Sequence, residues 1–385
     1  MPGWELIGKK EKKNLNQIFT KSNGIMFAHG FENLRNNIFL VRKFENLIKN
    51  FLKVKYCVAT TSGTMAQYVA MKAMGIKTND EVITQSFTFV ATVESIAAIG
   101  AKAKITEIDE TFNMDYKNLE KKITNKTKLI VPVPMLGNQW NVEKIKKIAK
   151  KFKLKILEDA CEAFGAKYKN KYLGTIGDVG IFSLDFAKTI TTGEGGLIVT
   201  NDKKIYKYCK EFIDHGHESN KKFPRGKDTR KIFGLNLRMT ELQAAVGIAQ
   251  LEKINYILKK NRENKKYLKN NIRKNDIEFR KIIDPKGDLA DTLIFMCKNE
   301  RVAKALNNVL KRKKIPTKNI PDALDWHFCG TWKHLKSHIV NFKSGWNVSD
   351  KILKKSIAIP ILINQSKKDL NKISNIINNF FQKKK

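Results

Sequence analysis

Residues 154–202 read LKILEDACEAFGAKYKNKYLGTIGDVGIFSLDFAKTITTGEGGLIVTND. Three short apolar runs within it, LKILED at 154–159, GDVGIFSL at 177–184 and GGLIVTND at 195–202, have the length and boundaries of strands. Toward the N-terminus, YCVAT at 56–60, EVIT at 81–84 and KLIVPVP at 128–134 read the same way. Between them MAQYVAMKAMG, FVATVESIAAIG and VEKIKKIAKKF have helical spacing, with Gly75 and Gly100 placed as stops. Strands alternating with amphipathic helices predict an α/β domain with a mostly parallel sheet. Such sheets bind their ligands outside the carboxyl ends of the strands, so polar residues at those ends are the first candidates for chemistry.

Beyond residue 201 the pattern turns helical, first in KKIYKYCKEFI and then in TELQAAVGIAQLEKINYILKKNRENKKYLKNNI. From about Pro285 it becomes mixed again: LADTLIFMC as a strand, RVAKALNNVLKRK as a helix and LNKISNIINNFF as a closing helix. The expected organisation is a large domain over 1–250, N-terminal segment included, and a smaller C-terminal α/β domain over 251–385. The lysines at 383–385 are expected to fray.

The formal charge of +37 would ordinarily suggest a nucleic-acid or membrane partner. Here the excess is mostly lysine, spread along the whole chain without interleaved aromatics or a nucleic-acid motif, so neither partner is expected. Cys57, Cys161, Cys209, Cys297 and Cys329 show no C-x-x-C spacing, which argues against a zinc site and a disulfide framework. No run of eighteen apolar residues is present and the N-terminus mixes charge throughout, so a cytoplasmic protein is expected.

Four features at strand ends suit a ligand with a phosphate, a pyridine ring and an aldehyde. Thr61-Ser62-Gly63-Thr64 follows a strand and opens a helix, where free N–H groups and hydroxyls favour a phosphate; an ordinary helix cap reads identically. Asp159 follows an apolar run and can pair with a protonated pyridine nitrogen, or serve as a turn aspartate. Lys188 lies in a loop followed by Gly193, Gly195 and Gly196; desolvation there is expected to lower its pKa toward a reactive amine, though spacing alone reads equally as one more solvated lysine. Phe89 in SFTFVAT can stack on a ring or belong to the core.

Together these blocks resemble the DegT/DnrJ/EryC1/StrS sugar aminotransferase family. The likeness runs through SGT at 62–64, NDEVIT with SFTFVAT, EDACEAFGA, GTIGDVGIFS, KTITTGEGGLIVTND and GLNLRMTELQAAVG. It implies a fold type I arrangement, pyridoxal 5'-phosphate as cofactor, and a homodimer with shared active sites. Lys188 is then the Schiff-base lysine and the acid/base, and Asp159 the partner of the pyridine nitrogen. Ser62, Gly63, Thr64 and Ser183 hold the phosphate, Phe89 stacks on the ring, and Asn236 reaches the phosphate from the other subunit. Glu162 stands where many relatives have glutamine near the phenolic oxygen.

The family likeness further implies glutamate as amino donor and a keto or aldehyde sugar as acceptor. MPGWEL, IDHGHES, GLNLRMTEL, IIDPKGDLADTLIF and WHFCGTWKH resemble the branch that aminates 8-oxo-Kdo to 8-amino-3,8-dideoxy-manno-octulosonate for lipopolysaccharide. On that reading Arg225, Lys227 and Arg230 face the substrate's anion, while His215 and His217 serve either the substrate site or loop hydrogen bonding. The alternative acceptor is a nucleotide-linked 4-keto or 3-keto deoxysugar. A regulator that keeps the fold without turnover is a third reading, against which the presence of Lys188 and Asp159 counts.

Overall fold

A computed structural model describes residues 3–220, 222–223, 225–273 and 276–382. The lysines at 383–385, and Met1 and Pro2 of the opening motif, lie outside the described residues. The strands in chain order are β1 (Tyr56–Thr60), β2 (Glu81–Gln85), β3 (Lys102–Thr106), β4 (Thr127–Ile130) and β5 (Lys155–Asp159). A short hairpin follows, β6 (Lys167–Tyr168) and β7 (Lys171–Tyr172), then β8 (Val179–Ser183) and β9 (Gly196–Thr200). The last three are β10 (Ile277–Phe279), β11 (Thr292–Cys297) and β12 (Ser356–Pro360).

Seven of these strands form one sheet in the order β1-β9-β8-β5-β4-β2-β3. Only β9 runs against the rest: it is antiparallel to β1 and β8, while the remaining pairs are parallel. The mostly parallel sheet expected from the sequence is therefore present. Both of its faces are covered. Along β9, Leu197 and Val199 pack into a cluster with Phe44, Ile48 and Ile248, whereas Ile198 packs opposite with Val69, Ile96 and Ile181. A strand buried on both sides needs no polar alternation, which is why these segments are continuous apolar runs.

The sequence reading did not include β3, the edge strand KAKIT, because its lysines interrupt the apolar run; its first and third residues are half-buried. The long helical stretch after Thr240 is two helices, Glu241–Leu251 and Ile254–Asn271. A separate antiparallel sheet, β10-β11-β12, is covered by the helices Glu300–Arg312 and Lys367–Gln382 around Phe295, Ile357 and Ile377. Between β11 and β12 the chain returns to the large sheet: Phe328, Trp332, Ile339 and Trp346 join the cluster containing Phe87 and Ala103. Residues 86–90 are held against 326–329 by an isolated bridge between Phe87 and Phe328, with the N–H groups of Thr88 and Val90 donating to the carbonyls of His327 and Trp326.

The end of β5 is anchored from inside the protein. Glu158 is fully buried, and its carboxylate accepts from the Trp140 indole (3.0 Å) and the N–H groups of Gly174 (2.9 Å), Ile176 (2.5 Å) and Gly177 (2.7 Å). Replacing it by alanine leaves four donors buried without an acceptor. Glu158→Ala is expected to lower unfolding free energy by ~4 kcal/mol in denaturant titrations. A loss below ~1 kcal/mol would show that water or relaxation satisfies those donors.

Candidate active site

Because every strand of the large sheet except β9 points the same way, β1, β2, β5 and β8 end at one edge, and β9 begins there. A cavity of about 450 Å³ opens at that edge. Ser62, Gly63, Thr64, Phe89, Asp159, Glu162, Ser183 and Lys188 all line it. Alternating β and α segments thus bring together residues separated by more than a hundred positions.

Ser62 caps the helix Gly63–Ala73, its hydroxyl accepting from the Met65 N–H at 3.1 Å. The cap reading is correct, and the same residue also faces the cavity. The N–H groups of Gly63 and Thr64 open the helix with no intrahelical partner, and they lie beside Ser183. A Cβ on Gly63 would stand 2.9 Å from the Ser183 Cβ and 3.0 Å from the Cys161 Sγ, so only glycine allows this close approach. Two free N–H groups at a helix start with hydroxyls around them form a cradle that suits a phosphate.

Asp159, the last residue of β5, is 5% exposed. One carboxylate oxygen accepts from the Thr92 hydroxyl at 2.7 Å, and Thr92 is itself hydrogen-bonded to Thr88. Burial holds Asp159 above the usual carboxylate range. Among the described residues no basic side chain is within ion-pair distance of it. A buried carboxylate in that state gains from a cationic ring nitrogen. The residues present therefore fit pyridoxal phosphate at both ends, phosphate and pyridine.

The Lys188 amine lies 3.7 Å from Glu162 Oε1, with its side chain 14% exposed. Burial disfavours its charge, but Glu162, the Cys161 thiol, Asp185 and Asp159 outweigh burial and raise its pKa above the ordinary lysine value. The expectation that desolvation lowers this pKa is thus corrected: four acidic groups surround the amine. Glu162 is the counterpart. Burial disfavours its charge too, yet Lys188, Lys318 and His327 hold it below the usual carboxylate range. It also accepts from the Leu136 N–H at 3.2 Å and is approached by the Asn319 amide at 3.4 Å.

Several cavity residues were not identified from the sequence. Thr88 and Thr92 are spaced one helical turn apart in SFTFVAT, a signal that was available. Asn319 had none, whereas His327 belongs to the WHFCGTWKH cluster, whose sequence reading is open between aromatic packing and substrate contact; both come from the segment between β11 and β12. His327 is buried, which lowers its pKa, and its ring Nδ1 lies 2.7 Å from the Ala323 carbonyl oxygen. Trp326 stacks on Phe89 with centroids 6.2 Å apart and 16° between planes. Phe89 is 40% exposed and precedes the helix Ala91–Ala98, so it is not a core residue.

The structure does not bring the remaining candidates to this cavity. Asn236 is exposed and pairs with Asp214 as an isolated bridge. His215 is exposed with φ of 55°, and Lys227 and Arg230 are exposed on the loop beyond it. Arg225 begins the short turn Arg225–Lys227; its side chain lies outside the described part of the structure. His217 is buried beside Asp228 at 3.5 Å, which accounts for it structurally.

A mostly parallel sheet of this strand order, with a lysine, an aspartate and a helix start converging at its carboxyl edge, defines an α/β transferase of fold type I. The chain belongs to the DegT/DnrJ/EryC1/StrS aminotransferase family, whose model matches residues 34–378. It is 41% identical over 233 residues to the GDP-perosamine synthase of Escherichia coli O157:H7, covering 60% of this chain and 63% of that protein. It is 36% identical over 214 residues to the UDP-2-acetamido-2-deoxy-3-oxo-D-glucuronate aminotransferase of Pseudomonas aeruginosa, covering 55% and 58%. The matches thus span less than two thirds of these relatives' length. The Helicobacter pylori aminotransferase PseC, involved in the biosynthesis of pseudoaminic acid, superposes with a TM-score of 0.82 over 98% of this chain and 97% of that one, at 23% identity. No helix among the described residues is long and apolar enough to cross a membrane.

In Glu162→Gln, burial of Lys188 meets less opposition, so the lysine pKa is expected to fall. Acetic anhydride labelling of Lys188 in the cofactor-free protein, followed by peptide mapping across pH, measures this directly. A midpoint equal to or above that of the wild type would show that Glu162 does not govern the amine.

Proposed function

We propose that this chain is a pyridoxal-phosphate-dependent aminotransferase that moves an amino group from glutamate to the carbonyl of a sugar. The observation that carries the reading is the convergence of Lys188, Asp159 and the Ser62–Thr64 helix start on one cavity. When bound, pyridoxal phosphate supplies an electron sink for the carbanion left when a Cα proton departs. The phosphate end fits the N–H groups of Gly63 and Thr64 and the hydroxyls of Ser62 and Ser183. Asp159, oriented by Thr92, stabilises positive charge at the pyridine nitrogen. Lys188 serves as the covalent tether and, once released, holds and moves the proton at the donor Cα. The electrostatic partner of Lys188 is Glu162, which keeps the resting amine protonated. A regulator without turnover has no need of such a set.

Borohydride treatment of the protein saturated with pyridoxal phosphate is expected to fix the cofactor onto Lys188. Lys188→Ala should lose the adduct and turnover, a drop of ~10³-fold or more, while remaining folded. Recovery of the adduct on another lysine by peptide mapping would sink the assignment.

For the acceptor we favour a nucleotide-linked keto sugar, because the relatives named above are a GDP-sugar and a UDP-sugar enzyme. One of the motifs that suggested 8-oxo-Kdo, IIDPKGDLADTLIF, has a structural role here. Asp288 pairs with Lys265, and Asp291 pairs with Lys318 at 2.7 Å, which pulls the aspartate down to about 2 against the effect of burial. A second copy of the chain is part of this reading: Asn236, His215, Lys227 and Arg230 are exposed and lie outside the protein's own cavity, positioned to serve a partner's. Parallel assays with glutamate and a GDP-linked 4-keto-6-deoxy sugar, a UDP-linked 3-keto sugar or 8-oxo-Kdo test the acceptor. Turnover of a nucleotide sugar is expected. Turnover of 8-oxo-Kdo alone would replace the acceptor and leave the aminotransferase reading intact.

A further inference from the structure

Gly3, Trp4 and Glu5 do not line the cavity, yet all three hold its surroundings. The Gly3 N–H donates to the Lys188 carbonyl at 3.2 Å. Gly3 is buried, and a Cβ there would stand 2.8 Å from that same oxygen and 3.1 Å from both the Thr189 carbonyl and Gln250 Oε1. Trp4 stacks on Phe186, two residues before Lys188, with ring centroids 5.8 Å apart and 20° between planes. The Glu5 carboxylate accepts from the N–H groups of Ile363 (2.9 Å) and Asn364 (3.2 Å), which follow β12.

The Lys188 N–H is already held within its own loop, donating to the Asp185 carbonyl at 3.0 Å. Gly3 therefore supplies the outer anchor of this residue, and Glu5 ties that anchor to the C-terminal sheet. A lysine whose side chain leaves and re-forms a covalent link must return to one position. Fixing its main chain confines the search to the side chain.

We propose that Gly3–Glu5 is a positioning strap that sets the main chain of Lys188 relative to the C-terminal sheet. The proposal rests on the role of Lys188 given above. A valine at position 3 pushes against the Lys188 carbonyl, whereas an alanine at position 5 releases the strap from its far end without touching the lysine loop.

The test uses the full chain saturated with pyridoxal phosphate, in the variants Gly3→Val, Glu5→Ala and Glu5→Gln. Gly3→Val and Glu5→Ala should keep the borohydride adduct on Lys188, lower kcat about fivefold and leave the KM for glutamate within about twofold. The midpoint of the pH titration of the bound cofactor's absorbance should move by about half a unit, because the amine no longer sits in the same field. Ile363 and Asn364 donate to different oxygens of Glu5, so Glu5→Gln keeps an acceptor for only one of them and should fall between the wild type and Glu5→Ala in both kcat and midpoint. Wild-type kcat and midpoint in Gly3→Val and Glu5→Ala overturn the strap alone. If Gly3→Val does not fold, Glu5→Ala decides the matter by the same two readings. A wild-type protein with no adduct on Lys188 overturns the proposed function, and the strap with it.

Discussion

The carboxylate of Glu158, sealed inside the protein, gathers the Trp140 indole and three N–H groups of the turn at 174–177. Successive residues of a strand face opposite sides of the sheet. With Glu158 committed to the interior, Asp159 faces the cavity. The turn that Glu158 holds leads directly into β8, whose last residue is Ser183 and whose exit loop carries Lys188. One buried acceptor thus sets where β5 stops, how β8 enters, and which carboxylate is left for chemistry.

The cavity is an electrostatic compromise. Lys188 and Glu162 each resist charging because they are buried, and each is charged because the other is. Asp159 lies in the same pocket with no basic side chain within ion-pair distance among the described residues, and burial outweighs the pull of Lys188, so its pKa moves the opposite way. Two carboxylates three residues apart therefore differ in character: one is paired with an amine of the protein, and the other has its pKa raised by burial.

The central strands were legible because burial on both faces makes each a continuous apolar run between glycines and polar residues. The edge strand β3 was not, since half-exposed lysines give it no such run. Ser62, Gly63, Thr64, Asp159, Ser183 and Lys188 were legible because they occupy strand ends and helix starts, where sequence position and spatial position coincide. Asn319 had no comparable signal, and the cluster containing His327 read equally as aromatic packing or substrate contact. His327 is held there by hydrogen bonds between 326–329 and 86–90, segments more than two hundred residues apart, and Asn319 by the bonds of Lys318 and Ile320 to Ala358 of β12.

The order of residues along the chain thus specified an α/β sheet, the edge at which chemistry would lie, and most of the side chains there, because local periodicity and strand ends are written in consecutive residues. The ionisation of Lys188 followed from folding instead. Burial alone would lower its pKa, and the direction reverses because Glu162, Asp159 and Asp185 are brought around the amine. Electrostatic energy depends on distance and on exclusion of water, and neither exists until the chain has packed.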